Sequence, residues 1–245
     1  MANSGDSSST PLRRFAALLT GVLLLSAIAG AETPLVPHTA EYRIKINVLG
    51  GQLRTELKSD GDAYIATHIV KPTGMSRILA NGAITESSSF LTAADGIRPD
   101  KYWSVDSLSR DKSRVEIHFD WDSGEARGTV NEQAVLSTMD ALAHDRISIQ
   151  YELMHDLLNG EPSKQYTLFD VDKLKTINVR NIGRKTVKVR AGQFEAVGIQ
   201  HQAENSKRVT TLWCVEELGY LPVIIEQHRL GKLRMRATLA SYTPT

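Results

Sequence analysis

The stretch Asp145–Asn159, DRISIQYELMHDLLN, decides the fold of this chain because it alone has a convincing helical period. Asp145 is suited to cap its N-terminus, and Gly160 followed by Pro162 ends it. On a helical wheel its apolar side chains cover an arc of about 200°, whereas a helix lying on a protein surface needs little more than ~100°. We therefore expect this helix to be enclosed on several sides by other elements.

The segments on both sides of this helix alternate between apolar and polar residues, which is typical of half-buried β-strands. In Lys112–Trp121, for example, Val115, Ile117 and Phe119 face one way, and the polar residues between them face the other. Thr39–Leu49 has the same period of two. Turn residues separate about a dozen such segments, so neighbouring segments are expected to pair as antiparallel strands.

The fold class that follows is mainly β: one large, curved antiparallel sheet, an incomplete β-barrel. A flat sheet of a dozen strands is unfavourable because strand twist makes large sheets curl. The helix at Asp145–Asn159 is expected to pack on the concave side, with a second, shorter helix at Val135–Ala143. No Pro/Gly/Ser-rich linker divides the chain, so residues 32–245 are predicted to form a single domain.

Residues 1–31 have the three parts of a cleavable signal peptide. Arg13 and Arg14 are the positive part, residues 16–29 are an uncharged apolar run, and Ala29-Gly30-Ala31 is a small-residue cleavage site. The apolar run is shorter than the ~20 residues that span a bilayer, so an uncleaved anchor is the weaker alternative. We expect export to the periplasm and a mature chain with no integral membrane span.

Charge is distributed unevenly along the chain. Residues 32–172 contain 14 basic and 22 acidic residues, and residues 173–245 contain 13 basic and 5 acidic residues. Either the two parts neutralise each other within one sheet, or the basic part forms a face that meets anionic lipid. A nucleic-acid partner is not expected in the periplasm.

The sequence predicts no metal site and no cofactor. Cys214 is the single cysteine, so disulfides and cysteine-based zinc or redox motifs are excluded. The histidines lack zinc-binding spacing, and no phosphate-binding loop occurs. Glu116, His118 and Asp120 share one strand face and could form a metal site, carry acid–base chemistry or be an ordinary polar face; we favour the polar face.

Asp145 and Ser148 admit two interpretations, a nucleophile with its base or a helix cap. No nucleophile-elbow motif accompanies them, and we favour the cap. No catalytic residue is therefore assigned, and we expect a protein that is not an enzyme.

The helix and one tryptophan supply the candidate ligand-binding residues. These side chains either pack in the core or line an apolar cavity against the sheet. They are Ile147, Tyr151, Met154, Leu158 and Trp213.

The order of several motifs along the chain resembles the domain-of-unknown-function family 3108, which occurs in exported bacterial proteins. The matching segments are Gly96–Tyr102, Phe119–Trp121, Asp145–Leu153, Ala191–Glu195, Thr211–Trp213 and Gly219–Val223. Cys214 departs from the aliphatic residue expected after Trp213. The resemblance implies an exported, curved β-sheet domain, similar by analogy to half-barrel carriers of lipoproteins and lipids, and it implies no reaction.

Three functions remain as alternatives. We expect a periplasmic, non-enzymatic protein that binds or carries an apolar or lipid-like ligand of the envelope. The second is an envelope structural or interaction protein whose concave face is fully packed and whose surface docks a protein partner. The third is a hydrolase that uses Glu116, His118 or Asp145.

Overall fold

β-Strands make up most of the chain, as the sequence predicted. The structure is a computed structural model that describes residues 33–61, 63–170 and 172–245, so the predicted signal peptide lies outside the described residues. The strands are β1 (His38–Ile46), β2 (Leu49–Asp60), β3 (Ala63–Pro72), β4 (Ile84–Ala93), β5 (Gly96–Asp106), β6 (Ser113–Asp120), β7 (Glu125–Val130), β8 (Gln133–Thr138), β9 (Ala143–His144), β10 (Gln165–Asp170), β11 (Lys173–Val189), β12 (Gly192–Ala203), β13 (Arg208–Val215), β14 (Leu221–Arg229) and β15 (Lys232–Pro244). The helices are α1 (Ser76–Leu79) and α2 (Ser148–Asn159), with a 3₁₀ turn at Glu216–Leu218.

All of these strands belong to one sheet with the order β8-β7-β6-β5-β4-β3-β2-β1-β15-β14-β13-β12-β11-β10-β9. Consecutive strands pair as antiparallel neighbours, and β1 pairs with β15. The exception is β9, which runs parallel to β10. The first and last strands are therefore in the middle of the sheet, and β8 and β9 form its two edges.

The chain connectivity requires this sheet to curl. Laid flat, fifteen strands spaced about 4.8 Å apart would put β8 and β9 roughly 67 Å from each other. The chain between Thr138 and Ala143, which joins these two edges, reaches at most about 18 Å. The edges must therefore approach each other, and the rings of Phe119 in β6 and Phe169 in β10 are in edge-to-face contact at 6.0 Å. The predicted curved antiparallel sheet is confirmed.

Helix α2 lies on the concave side of this sheet and is buried on all sides. Its buried side chains point in every direction around the helix axis: Ser148, Tyr151, Glu152, Leu153, Met154, His155 and Leu157. Leu153 and Leu157 pack with Val197, Ile199, Leu212 and Cys214, and Ile147, Tyr151 and Met154 belong to the main core. The wide apolar arc had predicted this enclosure.

One local prediction was wrong, and one helix boundary differs from the prediction. Residues 135–143 do not form a second helix, because Asn131 and Glu132 take positive φ angles and turn the chain back, so that β8 pairs with β7. The second helix is instead α1, which follows β3. Asp145 lies before the first turn of α2, which begins at Ser148.

The turns of this meander fall alternately at its two ends. We call the end with the β1–β2 turn the mouth end and the end with the β4–β5 turn the helix end. Helix α2 begins beside Ser88, in the middle of β4, and its last residue Asn159 hydrogen-bonds to Thr33, which precedes β1. Because α2 therefore runs toward the helix end, it leaves the mouth end of the concave face uncovered.

Candidate functional site

Asp145 fixes the start of α2 through a buried network. Its Oδ1 accepts the N–H groups of Ile147 and Ser148 at 2.7 and 2.9 Å, and the Ser148 hydroxyl accepts the Asp145 N–H at 2.9 Å. This reciprocal arrangement is a capping box. The Ser88 hydroxyl donates to Asp145 Oδ2 at 2.6 Å, which ties the cap to the sheet, while burial raises the pKa of the carboxyl. Asp145 thus accepts two backbone N–H groups at the start of α2, two residues before Ile147, the N-cap position of the helix.

Glu152 is a second buried carboxyl, which the sequence did not reveal. Its Oε2 accepts the backbone N–H of Ile97 at 2.6 Å, which joins the middle of α2 to the β4–β5 turn. Gly96 precedes that N–H with φ at +121°, and a Cβ there would lie 2.4 Å from Glu152 Oε1. The glycine of the Gly96–Tyr102 motif is therefore required by the close approach of this carboxyl.

Burial raises the pKa of Glu152 from its ordinary value of 4.5 to about 7, and the negative charges of Asp156 and Asp95 add to this shift. A carboxyl whose pKa is raised on folding stabilises the protein fully below the unfolded pKa, and this contribution disappears as the pH rises through the folded pKa. The contribution of Glu152 is therefore complete below pH 4.5 and lost above pH 7, a change of about 3 kcal/mol.

We expect Glu152→Gln to remove this pH dependence because the amide oxygen still accepts the Ile97 N–H without ionising. Between pH 5 and 8, denaturant unfolding should show the stability of Glu152→Gln rising relative to wild type by about 2–3 kcal/mol. The buried histidines have the opposite effect: their contribution to stability increases as the pH rises. The reason is that burial lowers the pKa of His68, His144 and His201 to about 4. Since both proteins share these histidines, only the difference between the two proteins is diagnostic. A difference that stays constant with pH would contradict the role of Glu152.

Four buried polar atoms without a hydrogen-bond partner among the described residues come together on the concave face near the start of α2. They are His38 Nε2, Thr55 Oγ1, His68 Nε2 and Tyr151 OH, which we call the interior polar set. Thr55 lies opposite His68 on the neighbouring strand. The Tyr151 ring centroid is 6.4 Å from that of His38 and 6.3 Å from that of His68. Because buried polar atoms in proteins are nearly always hydrogen-bonded, this cluster is suited to bound water or to the polar group of a ligand.

The interior polar set is neutral and offers both donors and acceptors. Burial lowers the pKa of His38, and burial together with the nearby His38 lowers that of His68, part of whose side chain still reaches solvent. His38 Nδ1 lies 2.8 Å from the Val36 carbonyl oxygen, so Nδ1 carries the hydrogen and Nε2 is an acceptor. The Tyr151 hydroxyl remains a donor. The set therefore matches an uncharged hydroxyl, ester or amide better than an ion.

Beyond this set, toward the mouth end, the concave face is apolar and only half buried. Tyr42 is buried in the core, and its cross-strand neighbours across β2, β3 and β4 are in turn Leu53, Val70 and Ile84. We call the half-buried inward positions the mouth: Ile44, Leu53, Val70, Ile84 and Met235. Because α2 does not extend over them, these side chains form an apolar surface that leads to the interior polar set.

The structure brings four of the five predicted ligand-binding residues together. Ile147, Tyr151 and Met154 are buried in the core. Leu158, on the same helix, is partly buried and packs against this core. Of these, Tyr151 belongs to the interior polar set. Their proposed role in binding a ligand stays a prediction.

Trp213, the fifth predicted residue, lies on β13 and belongs to the same main core cluster. Its neighbours Leu212 and Cys214 face α2, so Trp213 faces the other side of β13. Its ring lies over Gly198, where a Cβ would come within 2.8 Å, and Lys185 Nζ stands 3.6 Å from the ring centroid in a cation–π contact. Trp213 therefore has different immediate neighbours from the helix residues, and its proposed role in binding a ligand also stays a prediction.

The residues Glu116, His118 and Asp120 form a polar outer strand face. Glu116 pairs with Lys101 at 2.6 Å, and Asp120 pairs with Arg127 at 3.0 Å. His118 is exposed, with Nε2 3.5 Å from Glu116 Oε1. Among the described residues no group of three or more His, Cys, Asp or Glu side chains is arranged to hold a metal ion.

A separate open groove of about 580 Å³ lies near the 3₁₀ turn. Its walls include the charged side chains of Arg184, Glu195, Glu216 and Glu217. The charge of these walls makes the groove a poor match for an apolar ligand.

One curved sheet wrapped around a single long helix defines a β-barrel-like protein. The chain belongs to the family described as protein of unknown function (DUF3108), whose profile matches residues 39–238. This confirms the family expected from the motifs. No curated protein matches the chain.

A solved structure of similar fold is the β-barrel-like protein of domain of unknown function DUF1849 from Brucella abortus. The TM-score is 0.58 over 87% of this chain and 99% of that chain, at 13% identity, so the likeness concerns the fold. Within the described part of the chain, neither helix is long and apolar enough to cross a bilayer.

Proposed function

We propose that this protein is exported to the periplasm and binds an apolar or lipid-like molecule on its concave face without catalysing a reaction. The observation that carries the proposal is the half-buried apolar mouth leading to the interior polar set. Export is supported by the features of residues 1–31: two arginines, an uncharged apolar run and a small-residue cleavage site.

The two parts of the concave face match the two parts of a lipid-like ligand. Acyl or other apolar groups would cover Ile44, Leu53 and Val70, which are partly exposed in the described structure. A neutral polar group would reach the interior polar set, where Tyr151 donates and His38 accepts. Ligand sites are generally apolar surfaces with a few such convergent polar groups.

Native mass spectrometry of protein purified from the periplasm of expressing cells, followed by lipid extraction, tests this proposal. We expect a bound lipid-sized mass on the wild-type protein and an N-terminus at Glu32. Leu53→Trp, which fills the mouth, should lower occupancy at least tenfold. The matched control Leu91→Trp, at an exposed position outside the mouth, should bind as wild type does. Wild-type protein without bound lipid at any stoichiometry, or equal occupancy in the two variants, would contradict the proposal.

A second candidate function is an envelope interaction protein, favoured by the packing beneath α2. Ile147, Tyr151 and Met154 are almost inaccessible, so the helix end of the concave face is already filled by the protein's own side chains. If no lipid is recovered, cross-linking in intact cells from an exposed outer position such as Leu136 should identify a specific protein partner. A reproducible partner would support this second function over ligand carriage.

A further inference from the structure

We infer that the mouth end of the sheet docks onto the surface of an anionic lipid bilayer. The inference concerns the outer rim of the molecule and stands whether or not the concave face binds a ligand. Four turns that are neighbours in the sheet order make up this surface. We call it the basic rim, and it consists of residues 45–50, 71–79, 203–208 and 229–235.

Apolar side chains protrude from the basic rim into solvent. Val48 is 93% exposed, Met75 77%, Ile78 76% and Leu230 67%. Of the thirteen large hydrophobic residues that are exposed in the described part of the chain, seven are on this rim: Ile46, Val48, Leu49, Met75, Ile78, Leu230 and Leu233. Single exposed apolar residues are ordinary, but such a concentration at one end marks an interaction surface.

The structure holds the two most exposed parts of this rim together. The Gly50 N–H donates to the Ser76 hydroxyl at 2.8 Å, and the Thr73 N–H donates to the Gly50 carbonyl at 3.0 Å. These bonds attach α1 to the β1–β2 turn, so Val48, Met75 and Ile78 belong to one connected structural unit. They are able to enter a bilayer surface as a group.

The charge of the basic rim matches an anionic surface. Its four segments carry eight Lys and Arg residues and one acidic residue, Glu204. The basic residues are Lys45, Lys71, Arg77, Lys207, Arg208, Arg229, Lys232 and Arg234. None of these eight side chains forms an ion pair with another residue in the described ranges.

The opposite end of the sheet carries the opposite charge. Acidic residues stand in the turns of the helix end, among them Asp122, Asp140 and Glu217, whereas Asp95 and Glu216 there form ion pairs with Arg98 and Arg184. This polarity orients the molecule, because an anionic surface attracts the basic rim and repels the helix end. Both parts of the sequence contribute residues to each end, so this polarity between the ends is separate from the uneven charge along the sequence.

Apolar tips surrounded by unpaired cations are the combination by which proteins bind membrane interfaces. The apolar side chains enter the boundary between headgroups and acyl chains, and the cations remain at the anionic headgroups. An acidic protein partner would use the same charges. However, the exposed apolar residues are spread over several turn tips, which favours a fluid surface over a fixed protein surface.

Vesicle flotation with the purified full chain tests the inference. The probes are vesicles of phosphatidylethanolamine with 30% phosphatidylglycerol, and vesicles of phosphatidylcholine alone. We expect at least tenfold stronger binding to the anionic vesicles, decreasing as salt is raised from 50 to 500 mM because salt screens the attraction. Equal binding to both vesicle types, or no binding, would overturn the inference and leave a protein partner as the occupant of the rim.

Matched triple variants test the contribution of the basic rim separately from that of the rest of the chain. Residues 1–31 are the same in every variant, so a difference in binding between variants does not come from them. Val48→Ser with Met75→Ser and Ile78→Ser should weaken binding to anionic vesicles at least tenfold. Lys71→Glu with Arg77→Glu and Lys232→Glu should abolish the preference for anionic vesicles. The control triple Ile65→Ser, Leu91→Ser and Leu136→Ser removes exposed apolar residues outside the rim and should stay within twofold of wild type.

Thermal unfolding of each variant should match that of wild type, because all of the substituted side chains are exposed. If both rim triples bind as the control triple does, the basic rim is not the docking surface and the inference is wrong.

Discussion

Replacing Asp145 by alanine should lower the free energy of unfolding by about 3–5 kcal/mol, because it leaves several buried donors unsatisfied at about 1–3 kcal/mol each. The carboxylate accepts from three donors, namely the N–H groups of Ile147 and Ser148 and the hydroxyl of Ser88. Alanine leaves all three without an acceptor, and Ser88 and Ser148 are fully buried, so water cannot replace the lost bonds. The cost therefore combines a lost helix cap with a lost contact between helix and sheet.

Urea unfolding followed by circular dichroism measures this effect, with two comparison variants. Asp140→Ala removes an exposed carboxylate five residues earlier and should change stability by less than about 0.5 kcal/mol. Asp145→Asn keeps an oxygen acceptor for the two N–H groups, and the Ser88 hydroxyl can reverse to accept from the new amide, so we expect an intermediate loss. If Asp145→Ala is no more destabilising than Asp140→Ala, the network does not hold α2 in place.

The outline of this fold could be predicted from the sequence because it depends on local periodicity. The alternation of Val115, Ile117 and Phe119 identified β6 and its buried face, and the width of the apolar arc in α2 indicated enclosure on all sides. The hydrophobic period of a strand and the width of the apolar arc of a helix are properties of a single segment. Both can be read without knowing which other segments pack against it. The family motifs gave the same curved sheet independently.

Long-range pairing could not be predicted in the same way. Alternation tells which face of a strand is buried but not which strand lies beside it, so the pairing of β1 with β15 was not evident. Residues 135–143 were expected to form a second, shorter helix, whereas the turn at Asn131 and Glu132 directs residues 133–138 back to pair with β7. In that segment the turn geometry and the strand partner override local preference.

The candidate site was found only in part for a similar reason. Tyr151 was proposed from the helix alone, but its polar neighbours His38, Thr55 and His68 come from three strands and were not proposed. Glu152 was missed because a glutamate in a helix is usually exposed, and its partner is a backbone N–H fifty-five residues away. The glycine of the Gly96–Tyr102 motif was the one signal in the sequence for this contact. A glycine marks a close approach of another group, but it does not identify Glu152 as that group.

Gly96→Ala should lower the free energy of unfolding by about 3 kcal/mol, because it combines two separate costs. An alanine at φ +121° strains the backbone by roughly 1–2 kcal/mol. Its Cβ would also lie 2.4 Å from Glu152 Oε1, so the carboxyl must withdraw from the Ile97 N–H. That withdrawal leaves the N–H without a partner inside the protein, which accounts for the remaining cost.

A double-mutant cycle with Glu152→Ala separates these two costs. Without the carboxyl there is nothing to displace, so Gly96→Ala in the Glu152→Ala background should cost only the backbone strain, about 1–2 kcal/mol. The control Gly61→Ala has a similarly positive φ of +63° but no atom within 4 Å of the added Cβ, and it should show the same cost in both backgrounds. Equal effects of Gly96→Ala in the two backgrounds would mean that Gly96 is required for its φ angle alone and that the contact with Glu152 contributes nothing to its selection.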